Sequence, residues 1–105
     1  MVGIDIIDIA RIDTSEQFLD KISLRHQRTG ALFCVKEAVM KALEMGKNSG
    51  VVFKDIELQH EESGKPIVVL HGKALEKYNN FFSGKKIEVS LSHTPEYATA
   101  IAMII

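Results

Sequence analysis

No stretch constrains the fold of this chain more than Phe33-Cys34-Val35-Lys36-Glu37-Ala38-Val39-Met40-Lys41-Ala42-Leu43-Glu44-Met45-Gly46. It has no proline, its only glycine stands at the end, and strong helix formers fill most of it. Leu32, Val35, Val39, Ala42 and Leu43 recur at helical spacing. The pattern predicts a helix with one stripe against a core, closed by Gly46 as its C-cap. Glu37 and Lys41 lie one turn apart on a face away from much of that stripe. Alone they read as a surface ion pair worth about 0.2–0.5 kcal/mol. A function for them needs partners from elsewhere in the chain.

The length of 105 residues fits a single domain spanning 1–105 and is too short for two. So small a domain buries less than about three quarters of its unfolded surface. Part of its 46% apolar content is therefore available for burial between subunits. With 13 basic and 14 acidic residues the formal net charge is −1. That balance argues against nonspecific nucleic-acid binding but leaves room for a local basic patch facing an acidic partner. No apolar run reaches the roughly 20 residues of a membrane-spanning helix. Cys34 has no second cysteine to pair with and reads as a small buried residue. With no signal-peptide pattern at the start, a cytoplasmic location is expected.

Val2, Ile4 and Ile6 alternate with Gly3 and Asp5, which predicts a strand over Met1–Ile6. Asp is depleted in strands, and a carboxylate there needs a cation, a metal or several donors. Gly3 permits close approach by another backbone. Asp8 reads as the cap of a short helix through Ile12, and residues 14–22 as a second helix with Thr14 and Gln17 at capping-box spacing. Ser23–Thr29 reads as a polar turn or, through Arg25, His26 and Arg28, an anion-facing patch. Gly30 leads into the long helix, and Lys47–Gly50 forms a loop. Strands are expected over Val51–His60 and Ile67–Leu70, joined by a turn at Glu61–Pro66. Gly64-Lys65-Pro66 within it is a plain turn or a phosphate cradle. A helix is expected over Lys73–Phe82, packed through Leu75, Tyr78, Phe81 and Phe82. Ile87, Val89 and Leu91 mark a half-buried strand that ends at His93-Thr94. Tyr97–Ile105 is a nearly all-apolar last strand, covered on both faces or paired at a subunit contact. There is no nucleophile elbow, Walker loop, dinucleotide fingerprint or zinc spacing.

Three blocks in order carry a family resemblance: Gly3-Ile4-Asp5-Ile6-Ile7 with Arg11-Ile12; Lys36-Glu37-Ala38 with Lys41-Ala42; and Val89-Ser90-Leu91-Ser92-His93-Thr94 with Tyr97-Ala98. Phe53-Lys54-Asp55-Ile56-Glu57 and Gly64-Lys65-Pro66 lie between them. The set resembles the holo-(acyl-carrier-protein) synthases, the small 4′-phosphopantetheinyl transferases, over nearly the whole chain. The resemblance implies an α+β fold, a small antiparallel sheet with a long central helix and shorter helices. It implies a homotrimer with active sites at subunit boundaries. The implied reaction moves the 4′-phosphopantetheine arm of coenzyme A to a serine of acyl carrier protein, with Mg²⁺, releasing adenosine 3′,5′-bisphosphate. It further implies Asp5 and Glu37 as metal ligands and Glu37, Lys41 and His93 as catalytic residues. Lys41, Gly64, Lys65, Pro66, His93 and Thr94 would bind the cofactor, and Arg11 would face the carrier protein.

The chemistry suits this picture, because Mg²⁺ favours one or two carboxylates, several waters and phosphate oxygens. A water or carboxylate at the metal, or His93, could take the serine proton. The chain departs from the family's pattern before the central helix, where a longer L-T-x-x-E segment is usual and Ala-Gly is replaced by Gly30-Ala31. A noncatalytic relative that binds coenzyme A or carrier protein, or a structural oligomeric module with internal salt bridges, are the other readings.

Overall fold

The computed structural model describes residues 1–9, 24–45 and 49–105, with the backbone alone for 24–27. Three strands make one antiparallel sheet: β1 (Val2–Asp8), β4 (Ile87–His93) and β5 (Tyr97–Ile104), in the order β1-β5-β4. Across it Asp5 pairs with Ala100 and Ala100 with Leu91, while Ala98 stands between Ile7 and His93. A hairpin of β2 (Ile56–His60) and β3 (Pro66–Leu70) forms a second sheet. Helix α1 (Leu24–Ala42) packs across the main sheet, and α2 (Gly72–Phe81) follows the hairpin. This is the expected α+β architecture.

Small residues set the distance between α1 and the sheet. Ala31, Cys34, Ala38 and Ala42 recur at helical spacing, interleaved with Val35, Val39 and Leu43, and all are buried. They meet Ala98, Ala100 and Ala102, which share one face of β5. At Gly3 the approach is closest, for a Cβ there would stand 2.0 Å from the Ala38 carbonyl oxygen and 2.7 Å from the Ala42 nitrogen. Only glycine fits. The burial of Val35, Val39 and Leu43 contributes about 1.5–3 kcal/mol each relative to exposure.

Several boundaries differ from expectation. Leu24–Gly30, read from sequence as a polar turn and a lead-in glycine, is the first part of α1. Gly30 is buried inside the helix, where an added Cβ would lie 3.0 Å from Ile9 Cγ1. Tertiary packing there outweighs a helix-interior glycine's cost of about 1 kcal/mol. The helix closes at Glu44 (φ 57°), before Gly46. Met45 N–H donates to Met40 O and Glu44 N–H to Lys41 O, a Schellman closure with glutamate in the left-handed position. Gly46 lies outside the described residues, as do Arg11, the helix expected over 14–22 and, beyond Ile9, the one expected to end at Ile12. Asp8 ends β1 opposite Tyr97.

Val51–His60 is strand only from Ile56. Phe53–Asp55 is a 3₁₀ turn, because the Asp55 carboxylate accepts the Val52 N–H at 3.2 Å and draws the chain into a loop. Leu32, expected in the buried stripe, is 36% exposed. On α2, Leu75 and Phe81 face outward, whereas Tyr78 and, just beyond the helix, Phe82 pack as expected, joined by the buried Ala74. The central strand β5 is covered by α1 on one face only. On the other face Val2, Ile4 and Ile6 are 54–66% exposed beside the half-buried Ile101 and Met103.

Candidate functional site

Asp5 and His93, both singled out from sequence, fall on the two edge strands of the main sheet, with β5 between them. Asp5 belongs to the β1 edge. The close seat of Gly3 on α1 brings the strand's inner face down onto the helix, and Asp5, two residues on, shares that face. Its backbone is held as well, for Thr99 Oγ1 donates to the Asp5 carbonyl at 2.9 Å. Lys41 reaches over from the last turn of α1. Its Nζ donates to Asp5 Oδ1 at 3.0 Å and to Ile4 O at 3.0 Å. The Asp5 side chain is 17% exposed and that of Lys41 53%.

Cys34 lies beneath this pair, one turn before Glu37. It is fully buried and donates its thiol hydrogen to Ala98 O at 3.2 Å. Burial, then the neighbouring charge of Asp5, pushes the thiol up to about 12, with a smaller contribution from Glu37. Asp5 and Lys41 meet at this corner of α1, and Glu37 stands one turn before Lys41 on the same helix. Cys34 is the small buried residue expected from sequence, and it packs under this corner.

The other edge carries His93, at the end of β4. It joins Arg28, Ala31 and Leu32 of α1, Leu58 and His60 of β2, and Leu91 in lining a groove of about 350 Å³. The groove is apolar at its floor, with an arginine and two histidines at its rim. Arg28 belongs to the run suspected of facing an anion, whereas His60 carried no sequence signal. Leu32 and Leu58 continue into a neighbouring hollow with Lys36, Lys54, Glu57 and His71. There Lys36 Nζ donates to Phe53 O at 2.9 Å. His71 Nε2 lies 2.9 Å from Glu57 Oε1, and that hydrogen bond, ahead of one from Gln59, holds Glu57 below the usual carboxylate range.

The remaining expected residues are turn residues on the β3–β4 side. Gly64 takes φ 92° and donates its N–H to Glu61 O in the hairpin turn. Lys65 pairs with Glu88 of β4 at 3.6 Å, and Pro66 opens β3 opposite His60. Thr94 shapes the β4–β5 turn, its Oγ1 accepting from the N–H groups of Glu96 and Tyr97. One protomer thus joins Asp5 and Lys41 at one edge, with Glu37 one turn before Lys41 on α1, and places His93 at the other. Two strand spacings, about 10 Å, lie between β1 and β4.

Asp5 offers a hard carboxylate oxygen of the kind a divalent cation takes. An ammonium, itself a cation, already rests on Asp5 Oδ1, so the structure marks that oxygen as a place for positive charge. Among the described residues no group of three or more His, Cys, Asp or Glu side chains could hold a metal. A carboxylate pair completed by water and phosphate is the kind of site Mg²⁺ takes, whereas a closed zinc site needs four protein ligands. Among the described residues no helix is long and apolar enough to cross a membrane.

Comparison with known proteins agrees over the full length. The model of a family described as the 4′-phosphopantetheinyl transferase superfamily matches residues 1–102. The chain is 34% identical to the holo-[acyl-carrier-protein] synthase of Koribacter versatilis, across 97% of this chain and 94% of that protein. It is 38% identical to the protein of the same name from Clostridium kluyveri, across 98% and 87%. The crystal structure of the Helicobacter pylori holo-[acyl-carrier-protein] synthase, in complex with coenzyme A, superposes with a TM-score of 0.78 at 25% identity, covering 100% of both chains.

Proposed function

The chain belongs to the 4′-phosphopantetheinyl transferase superfamily, and from that membership we propose that it is a holo-[acyl-carrier-protein] synthase using coenzyme A and apo acyl carrier protein as its substrates. Full-length similarity to synthases of that name supports the reaction. The observation that supports the site is the pairing of Asp5 with Lys41, one turn beyond Glu37 on α1.

In the reaction a serine oxygen of the carrier protein attacks the phosphorus that bears the pantetheine arm. A new P–O bond forms, the pyrophosphate bond breaks, and adenosine 3′,5′-bisphosphate leaves with the bonding electrons. The serine proton is lost in the same process. Negative charge grows on the leaving phosphate, and cations fixed beside it lower the barrier. Asp5 and Glu37 would hold Mg²⁺, which supplies charge neutralisation across the phosphate oxygens. Lys41 offers a second positive contact to the same oxygens.

The β4 edge serves the organic part of the substrate in this reading. His93, Thr94, Gly64, Lys65 and Pro66 contribute from a neighbouring copy, and Arg11 meets the acidic carrier protein. The exposed outer face of Val2, Ile4 and Ile6 favours such assembly, since soluble monomers rarely leave contiguous apolar faces to water. A closed ring of three copies puts a β1 edge beside a neighbour's β4 edge at each contact.

Mass spectrometry of an apo carrier protein after incubation with the chain, coenzyme A and Mg²⁺ tests the proposal. The expected result is a gain of one phosphopantetheine arm that disappears when Mg²⁺ is chelated. Coenzyme A binding with no mass gain would instead establish a noncatalytic relative.

A further inference from the structure

Lys41 has a position that the reaction cannot keep. Its ammonium rests on Asp5 Oδ1, one of the two carboxylate oxygens open to a divalent cation, and on the Ile4 carbonyl, both at 3.0 Å. A second cation on that carboxylate would stand within a few ångströms of the first, and the two repel. Lys41 is half exposed on a flexible four-carbon stem, so it leaves at small cost when another anion is in reach. The diphosphate of the substrate is such an anion.

We propose that Lys41 is the resident counter-ion of Asp5, displaced onto the substrate's diphosphate as the divalent cation arrives, so that cation and coenzyme A bind cooperatively. The inference rests on the reading of Asp5 as a metal ligand. Without diphosphate the cation must evict Lys41 into water; with it, the evicted charge gains a partner. Linkage makes the effect reciprocal, so each ligand raises the affinity for the other by the same factor.

Titration with Mn²⁺, followed by the electron paramagnetic resonance signal of the free ion, tests this on the full chain with and without coenzyme A. Binding of Mn²⁺ to coenzyme A alone is subtracted. Wild-type protein is expected to bind Mn²⁺ weakly alone and roughly tenfold more tightly with coenzyme A. Lys41→Met should bind Mn²⁺ alone roughly three- to tenfold more tightly than wild type, and coenzyme A should help it far less. Lys41→Arg should follow wild type, and in an Asp5→Asn background the Lys41→Met gain should vanish. If Lys41→Met binds the lone ion no better than wild type while wild type still binds it with coenzyme A, the counter-ion role is overturned and the metal site stands. If wild type takes up no Mn²⁺ even with coenzyme A, the metal assignment falls and the inference with it.

Discussion

The β1 and β4 edges of the sheet carry the two groups of expected site residues on opposite building plans. At β1 the parts are packed tightly. Gly3 touches the backbone of α1, Cys34 fills the space beneath, and Asp5 has its charge balanced by Lys41 at 3.0 Å. At β4 the parts stand apart around an open groove of about 350 Å³, with Arg28, His60 and His93 over an apolar floor. The first arrangement seats Asp5 against a rigid helix, the kind of fixed placement phosphoryl transfer demands. The second offers area and positive potential, as binding of a larger organic anion demands. A substrate with a diphosphate in its middle needs both, and a single protomer holds them on opposite edges.

The sharpest way to break that comparison is to remove the β1 charges. Asp5→Asn and Glu37→Gln should each lower transfer to the carrier protein by about 10²–10³-fold, the usual cost of one fixed electrostatic contact in a transition state. Coenzyme A binding, measured by calorimetry, should change much less. Near-normal turnover in either variant would show that the β1 edge is structural. Next in size is complementation. Asp5→Asn and His93→Ala spoil different edges, so mixing and reassembling the two inactive chains should restore about a quarter of the wild-type sites, those built from one intact edge of each kind. No recovery after verified exchange would mean that each site is contained within one copy.

Much of this was legible in sequence because it depended on single incongruities. An aspartate inside an apolar strand required a cation, and Lys41 is that cation. Alternation in residues 1–6 and 87–91 marked β1 and β4, and the polar turn at 61–65 marked the hairpin. The errors came where distant packing overrides local preference. Gly30 reads as the lead-in to the helix until Ile9 is seen against it, and Glu44 occupies a position usually given to glycine. The pair of Leu75 and Phe81 shows that apolar periodicity cannot tell a core face from an exposed one. The alliance of Arg28, His60 and His93 was beyond reach, since nothing local ties residues from α1, β2 and β4.

A smaller effect would sharpen the account of how β1 is held. Gly3→Ala puts a methyl group 2.0 Å from the Ala38 carbonyl oxygen, and backbone cannot rotate away. Denaturant unfolding should show a loss of about 2–4 kcal/mol, near or beyond the upper end of ordinary overpacking costs. Activity at a temperature where the variant is folded should also fall, because the shift separates Asp5 from α1. The groove at β4 should be spared, so coenzyme A affinity measured without divalent cation should change little. A variant as stable as wild type would mean that the strand and helix are less tightly seated than their contact distance implies.

The smallest expected effect concerns Cys34, and it tests whether the β1 corner is sealed. The thiol is fully buried and pushed up to about 12 from 9.0 by burial and by Asp5. Because the folded value is the raised one, the neutral thiol's contribution is intact below pH 9.0 and declines as pH climbs towards 12. At pH 8 an alkylating reagent should leave the native chain unmodified over hours yet label it at once in denaturant, read by mass. Cys34→Ser keeps a donor for Ala98 O and should cost about 1 kcal/mol or less in stability near neutrality. Since serine does not ionise in this range, the variant should lose less stability than wild type between pH 9.0 and 11. Rapid labelling of native protein would mean that water reaches the space under Asp5. The tight corner would then resemble the open groove, and the contrast between the two edges would fail at its base.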